Sequence, residues 1–196
     1  MRKTVLLCMV VILAASSLCL ASDWPKPELF GGYSYYRADL NESETGVSPL
    51  NTNGWNAALT VPLNTYLGFT ADFSGHYKTQ NLSSIIGTAK GTLNEYNFLF
   101  GPTFSAHSFS NRMTPFVHAL FGASYLKATG SIDTSLGSGS GSDTNTSFAM
   151  AIGGGLDAKV GKRLALRLGQ FDWVRTQHYD LKQNNLRFST GVVVKF

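Results

Sequence analysis

The chain is poor in thiols. Its two cysteines, Cys8 and Cys19, both fall within the first 21 residues, a stretch that reads as a removable leader. Once that leader is gone no thiol remains, which excludes disulfides and thiolate metal sites. Long apolar runs are also lacking beyond it. A helix that crosses a bilayer needs about 20 consecutive apolar residues, so a helical inner-membrane protein is excluded. No basic cluster interleaved with aromatics occurs, and nucleic acid drops out as a partner. Metal-ligand spacing and a phosphate-cradling glycine loop are likewise missing; the glycines of 137–141 read as a loop tip. No cofactor and no metal are expected.

The leader itself has the three parts of a secretory signal peptide. Arg2 and Lys3 form its charged start, Thr4 to Ala15 its apolar stretch, and Cys19-Leu-Ala21 the small residues before a cut after Ala21. Lipidation at Cys19 is disfavoured, because Leu18 stands where that site prefers Gly or Ala. Removing residues 1–21 takes two positive charges from the formal net +4. Residues 22–27, with Pro25 and Pro27, form a short extended leader facing the periplasm. Residues 28–196 then make one domain. Without disulfides, a closed barrel in lipid is one way for such a domain to be stable.

What the sequence has is aromatics, glycines and a period of two. Strand one, 28–37, puts Leu29, Gly31, Tyr33 and Tyr35 on one face. In strand two, 54–61, Trp55, Ala57, Leu59 and Val61 oppose Asn56, Ala58 and Thr60. Strand three alternates most clearly: Leu67, Phe69, Ala71, Phe73, Gly75 and Tyr77 against Gly68, Thr70, Asp72, Ser74 and His76. Strand four, 94–104, sets Tyr96, Phe98, Phe100 and Phe104 against Glu95, Asn97, Leu99 and Thr103. Strands five (114–127) and six (147–160) continue the pattern, with His118, Asp157 and Lys159 on the inner face. Strand seven changes phase after Leu164-Ala-Leu-Arg-Leu168, so a β-bulge near Gly169-Gln170 is predicted, returning Gln170 and Asp172 to the side of Arg167. The fold expected is all-β: an eight-stranded antiparallel up-and-down transmembrane barrel.

The connections alternate in length. Residues 38–53, 78–92, 129–146 and 175–185 read as long loops, and the Ser/Gly/Asp/Thr stretch within 130–146 as mobile. Residues 62–65, 105–113 and 161–163 read as shorter turns. Long loops outside and short turns in the periplasm fit a membrane barrel with both termini periplasmic. Outward aromatics gather near the long loops: Tyr35, Trp55, Tyr77, Tyr96, Tyr125, Phe148 and Trp173. Tyr66, Phe104 and Phe196 lie at the opposite ends. Two such rows are expected as interfacial girdles around a lipid-facing band.

The last strand runs from Leu186 to Phe196, with Phe188, Val192, Val194 and Phe196 on one face and Arg187, Ser189, Gly191 and Lys195 among those on the other. Its Ser189-x-Gly191-x-x-Val194-x-Phe196 pattern resembles the C-terminal signal that outer-membrane barrels show to the barrel-assembly machinery. Glu28-Leu-Phe-Gly-Gly-Tyr-Ser-Tyr-Tyr-Arg37, Phe100-Gly-Pro-Thr-Phe104, Pro115-Phe-Val-His-Ala-Leu-Phe-Gly-Ala123 and Arg167-Leu-Gly-Gln-Phe-Asp-Trp173 are similar to the small outer-membrane barrels typified by the OmpA transmembrane domain. The resemblance spans the mature chain and implies fold and location more than activity. It implies outer-membrane lipids and the assembly machinery as partners, and a monomer. OmpA's peptidoglycan-binding domain has no counterpart here, so cell-wall anchoring is not implied.

Eight strands leave a lumen just wide enough for side chains. Asp72, Glu95, Asp157, Lys159, Arg167, Asp172, Arg187 and Lys195 fall on its face, with His76 and His118. Charges placed there must be paired or wet, and Arg167, Asp172 and Arg187 on adjacent strands are within reach of one another. The network is expected to be structural, with a low-conductance channel for small solutes as the alternative. Catalysis is not expected. His107-Ser-Phe-Ser-Asn111 differs by one residue from the His-x-Ser-Asn motif of barrel deacylases and has no carboxylate nearby in sequence. His178 reads as a lone loop histidine. A soluble carrier would need the opposite arrangement, apolar inside and polar outside, from that of strand three.

Overall fold

A computed structural model describes residues 26–38, 50–84, 87–106, 112–134, 137–178 and 181–196. The expected signal peptide (1–21), most of the 22–27 leader and the 107–111 motif lie outside the described residues.

Eight strands follow one another around a closed barrel: β1 (Glu28–Ala38), β2 (Leu50–Pro62), β3 (Leu67–Ser84), β4 (Gly87–Ser105), β5 (Met113–Thr134), β6 (Gly137–Lys159), β7 (Leu164–His178) and β8 (Leu181–Lys195). Every neighbour pair is antiparallel, and β1 closes the ring by pairing with β8 from Glu28↔Lys195 to Arg37↔Leu186. The alternation read from the sequence sets the faces. Asp72, Ser74 and His76 are buried at about 1% exposure or less, while Phe69, Phe98, Val117 and Phe171 are among the exposed apolar residues. The exterior is greasy and the interior polar.

Three of the long loops, however, are mostly strand among the described residues. Residues expected as loops at 78–92 and 129–146 continue the β3–β4 and β5–β6 ladders to Ser84↔Gly87 and Thr134↔Gly137. The Ser/Gly-rich stretch expected to be mobile pairs residue by residue with β5. Likewise β7 and β8 run through 175–185 to His178↔Leu181, and Leu50 to Asn53 pair with β1. The physical reason is that alternation reports a contrast between two environments, and it fades once both faces meet water although the ladder continues. Pairing of β3 to β2 ends at Asn53↔Tyr77, and pairing of β6 to β7 begins at Ala149↔Thr176. Beyond those points β3 to β6 stand as an open four-stranded sheet.

The β2–β3 and β6–β7 turns at the opposite end are tight. Asn64 Oδ1 accepts from the backbone N–H of Tyr66 and of Leu67, 2.8 Å each, which folds the β2–β3 connection. In β7 the predicted bulge is present: Arg167 pairs with Gly191 and Gln170 with Ser189, so one extra residue is absorbed at Leu168-Gly169. Arg167, Gln170 and Asp172 thereby share the buried face.

At the seam, Gly32 faces Gly191 across β1 and β8. A Cβ on Gly32 would lie 2.1 Å from the Thr190 carbonyl oxygen, and one on Gly191 2.3 Å from that of Gly31. Both contacts are with backbone, which cannot step aside. We predict that Gly32→Ala and Gly191→Ala each lower stability by about 1–3 kcal/mol, read as a fall in the urea midpoint of the refolded barrel. Gly139→Ala, which meets nothing within 4 Å, is expected to stay within roughly 0.5 kcal/mol of the parent. Equal effects at all three positions would contradict the seam argument.

Candidate functional site in the lumen and at its rims

Two arginines fill the lumen. Arg187, on β8 and about 1% exposed, crosses to the far wall: its Nη1 donates to Asp72 Oδ1 (2.7 Å) and Ser74 Oγ (3.1 Å) on β3. On its own side its Nε donates to Asp172 Oδ2 at 2.8 Å on β7. Asn56 Nδ2 donates to the other oxygen of Asp72 (2.9 Å), and His118 Nε2 lies 2.7 Å from Asp172 Oδ1. Parity alone put these groups on one face; the shortness of the span across the barrel brings them into contact.

Nearer the terminal rim, Arg167 pairs with Asp157 through two bonds, Nε to Oδ1 (2.8 Å) and Nη2 to Oδ2 (3.0 Å). Its guanidinium is stacked between Phe30 and Phe116, 4.2 Å from each ring centre. Gln170 joins the two tiers by accepting from Arg167 Nη1 (2.6 Å) and donating to Asp172 Oδ2 (2.7 Å). Thus Arg167 and Arg187 do not compete for Asp172; each has its own carboxylate. The cavity bordered by Thr70, Thr103, Asp157 and Arg167 amounts to ≈ 10 Å³, about the room of one water.

A third tier lies toward the open sheet. Glu95 Oε1 accepts from Tyr36 OH (3.0 Å), Ser124 Oγ (3.2 Å) and Asn97 Nδ2 (3.4 Å). Asn185 Nδ2 in turn donates to Tyr36 OH at 2.7 Å, and the Tyr36 ring stacks on His76 at 4.7 Å. Sequence reasoning missed Tyr36 and Asn185. Tyr36 follows two outward tyrosine positions that drew the eye, and Asn185 was read as loop; its even spacing from Arg187 was the available signal.

The remaining expected lumen charges stand apart from this network. Lys195 Nζ donates to Glu28 Oε1 at 2.6 Å on the terminal rim. Lys159 is exposed at the same rim. Spacing fixes the face a residue takes but not its depth, which is why both were grouped with the buried ions. His178 pairs with Leu181 in the β7–β8 ladder.

On the exterior, the expected aromatics point outward. Trp55, Tyr77, Tyr125, Phe148 and Trp173 are exposed, Tyr35 and Tyr96 partly so. Trp55 Nε1 donates to Tyr77 OH (3.1 Å), and the Tyr77 and Tyr96 rings meet edge to face at 5.8 Å. This row sits mid-strand on β3 to β6, at the level where the barrel opens into the four-stranded sheet. Tyr66 and Phe104 stack at 5.9 Å near the other rim, where Phe196 is also exposed. Of the terminal pattern, Ser189 is buried beside Ser34, Gly191 lies in the seam, and Val194 faces Leu29 and Leu164 on the flanking strands.

The model of the outer membrane protein beta-barrel domain matches residues 4–196. Among solved structures, the attachment invasion locus protein Ail of Yersinia pestis is 18% identical, with a TM-score of 0.59 over 87% of this chain and 99% of that one. Neisserial surface protein A is 14% identical, with a TM-score of 0.57 over 87% and 97%. The outer membrane protease OmpT of Escherichia coli is 9% identical, with a TM-score of 0.51 over 91% and 100%. At these identities the likeness is one of fold. No curated protein matches the sequence.

Removing one partner from a buried ion pair leaves its counter-charges stranded, at a cost of about 3–5 kcal/mol. Arg187→Met should lower unfolding stability by that amount, measured by tryptophan fluorescence in urea. Adding Asp72→Asn and Asp172→Asn to it should recover at least half of the loss. A single variant as stable as the parent would show that Arg187 does not hold the lumen together.

Proposed function

The chain belongs to the outer membrane protein beta-barrel domain family and is an integral outer-membrane barrel; from that premise we propose a structural and surface-interaction role. The carrying observation is the lumen, where Arg187 spans from β8 to β3, Arg167 fills the next level between Phe30 and Phe116, and the space beside it holds about one water. A body closed in this way leaves the projecting β3–β6 sheet as the part that meets other molecules. In this reading the barrel holds that sheet above the membrane and performs no catalysis. The second reading is a low-conductance channel for small solutes, favoured by the polar chain from Asp157 through Gln170 to Asp72.

The surrounding assignments follow the same logic. Residues 1–21 serve as the signal peptide and 22–27 as the periplasmic leader. The two aromatic rows act as girdles at the bilayer interfaces. Ser189, Gly191, Val194 and Phe196 present the last strand to the barrel-assembly machinery, and the barrel works as a monomer with both termini in the periplasm.

Single-channel recording decides between the readings. The folded protein in a planar bilayer is expected to show no openings, whereas Arg167→Ala with Arg187→Ala should admit small ions. Regular openings from the parent would favour the channel. Orientation is tested separately with single cysteines in the otherwise thiol-free mature chain. Ser138→Cys on intact cells should react with a membrane-impermeant maleimide, and Lys162→Cys should react only after the outer membrane is opened. The reverse pattern would invert the barrel.

A further inference from the structure

On the rim that carries both ends of the barrel domain, cations gather along one arc. Backbone hydrogen bonds fix their order. Lys159 N donates to Arg112 O (2.7 Å), Lys195 N to Arg163 O (2.8 Å) and Phe196 N to Pro27 O (3.1 Å). Arg112, Lys159, Lys162, Arg163 and Lys26 therefore succeed one another from β5 through the β6–β7 turn to β8 and β1. All five are exposed.

Two acids described near them are engaged by other cations. Glu28 is held by Lys195 at 2.6 Å, and Asp157 is buried against Arg167. The described rim residues 60–67, 105–106 and 112–114 contain no Asp or Glu. Apolar side chains of the exterior run up to the arc: Val160 (61% exposed), Leu164 (47%), Met113 (42%) and Phe196 (50%). Cations on long stems beside the edge of an apolar belt are placed at headgroup level, where the stem lies along hydrocarbon and the charge reaches phosphate. An acidic protein would meet the charges but would also have to cover these apolar neighbours, which lipid tails already do.

We propose that this arc binds the headgroup phosphates of anionic glycerophospholipids in the leaflet that meets the terminal rim. The inference rests on the membrane-barrel reading, and it adds a preference among lipids. Arg163 suits phosphate through paired N–H donors, and the lysines act as point charges. The preference should weaken with salt, because exposed charges are screened.

The test uses the folded protein in phosphatidylcholine vesicles carrying a trace of spin-labelled phosphatidylglycerol or spin-labelled phosphatidylcholine. The motionally restricted fraction of each label reports its contact with the barrel. The parent is expected to favour phosphatidylglycerol by roughly threefold or more. Lys159→Gln with Lys162→Gln and Arg163→Gln should bring the ratio close to one. Lys78→Gln with Lys90→Gln and Lys127→Gln, on the opposite projection, should leave it unchanged. Insertion of each variant is checked by its heat-dependent gel shift. A parent that inserts but shows no preference overturns this inference alone, as does an arc variant that inserts and keeps the preference. A parent that never inserts overturns the membrane reading and this inference together.

Discussion

In hydrocarbon, a backbone N–H or C=O without a partner costs several kcal/mol, and an open sheet edge presents a whole row of them. Pairing of β1 with β8 removes that row, and most other features follow from the closure. Once the ring is shut, each strand has one side toward acyl chains and one toward a shared interior, so a period of two is imposed on every strand. The seam has to be tight for this to work. Gly32 and Gly191 meet there because their backbones approach closer than any Cβ permits.

Closure at eight strands also decides what the interior does. The width is small enough for one arginine to span it, and Arg187 does so, from β8 to Asp72 on β3 while holding Asp172 on β7. The bulge at Leu168-Gly169 is part of the same solution. Were Leu168 and Gly169 each paired in a regular ladder instead of bulged, Asp172 and Gln170 would face outward into lipid, and both arginines would lose a partner. A local irregularity in one strand thus keeps both levels of the network intact. In the structural reading proposed above the interior acts as a strut, and any role in recognition falls to the ends.

Much of this was legible because the membrane writes a strong contrast into sequence. Strand three names both faces without ambiguity, and the phase change in strand seven located the bulge to within two residues. The contrast depends on lipid, and it is lost where lipid ends. Beyond Tyr77 and before Ala149 the ladders persist, but both sheet faces are wet, so Thr79, Thr92, Thr129 and Ser142 read as loop although they stand in register across four strands. Depth is the other blind spot. Lys159 and Asp157 share a face, and only the positions of the neighbouring strands decide that one is exposed and the other sealed against Arg167. Tyr36 shows the same limit for partners: its parity was available, but Glu95 and Asn185 are 59 and 149 residues away.

The two ends of one wall carry different chemistry, and the barrel alone does not require that. Above the Tyr77 level the outward face carries hydroxyls, with Lys90 and Lys127 spaced among them. At the terminal rim it carries the cations of the β6–β7 turn directly against Val160 and Leu164. Ring closure would be satisfied equally well by neutral turns, since Val160 N and Gly161 N both bond to Leu164 O through backbone alone. The charge there is therefore surplus to folding. A surplus that sits at the edge of the apolar belt is what the phosphates bordering that belt would take up in the lipid preference proposed above.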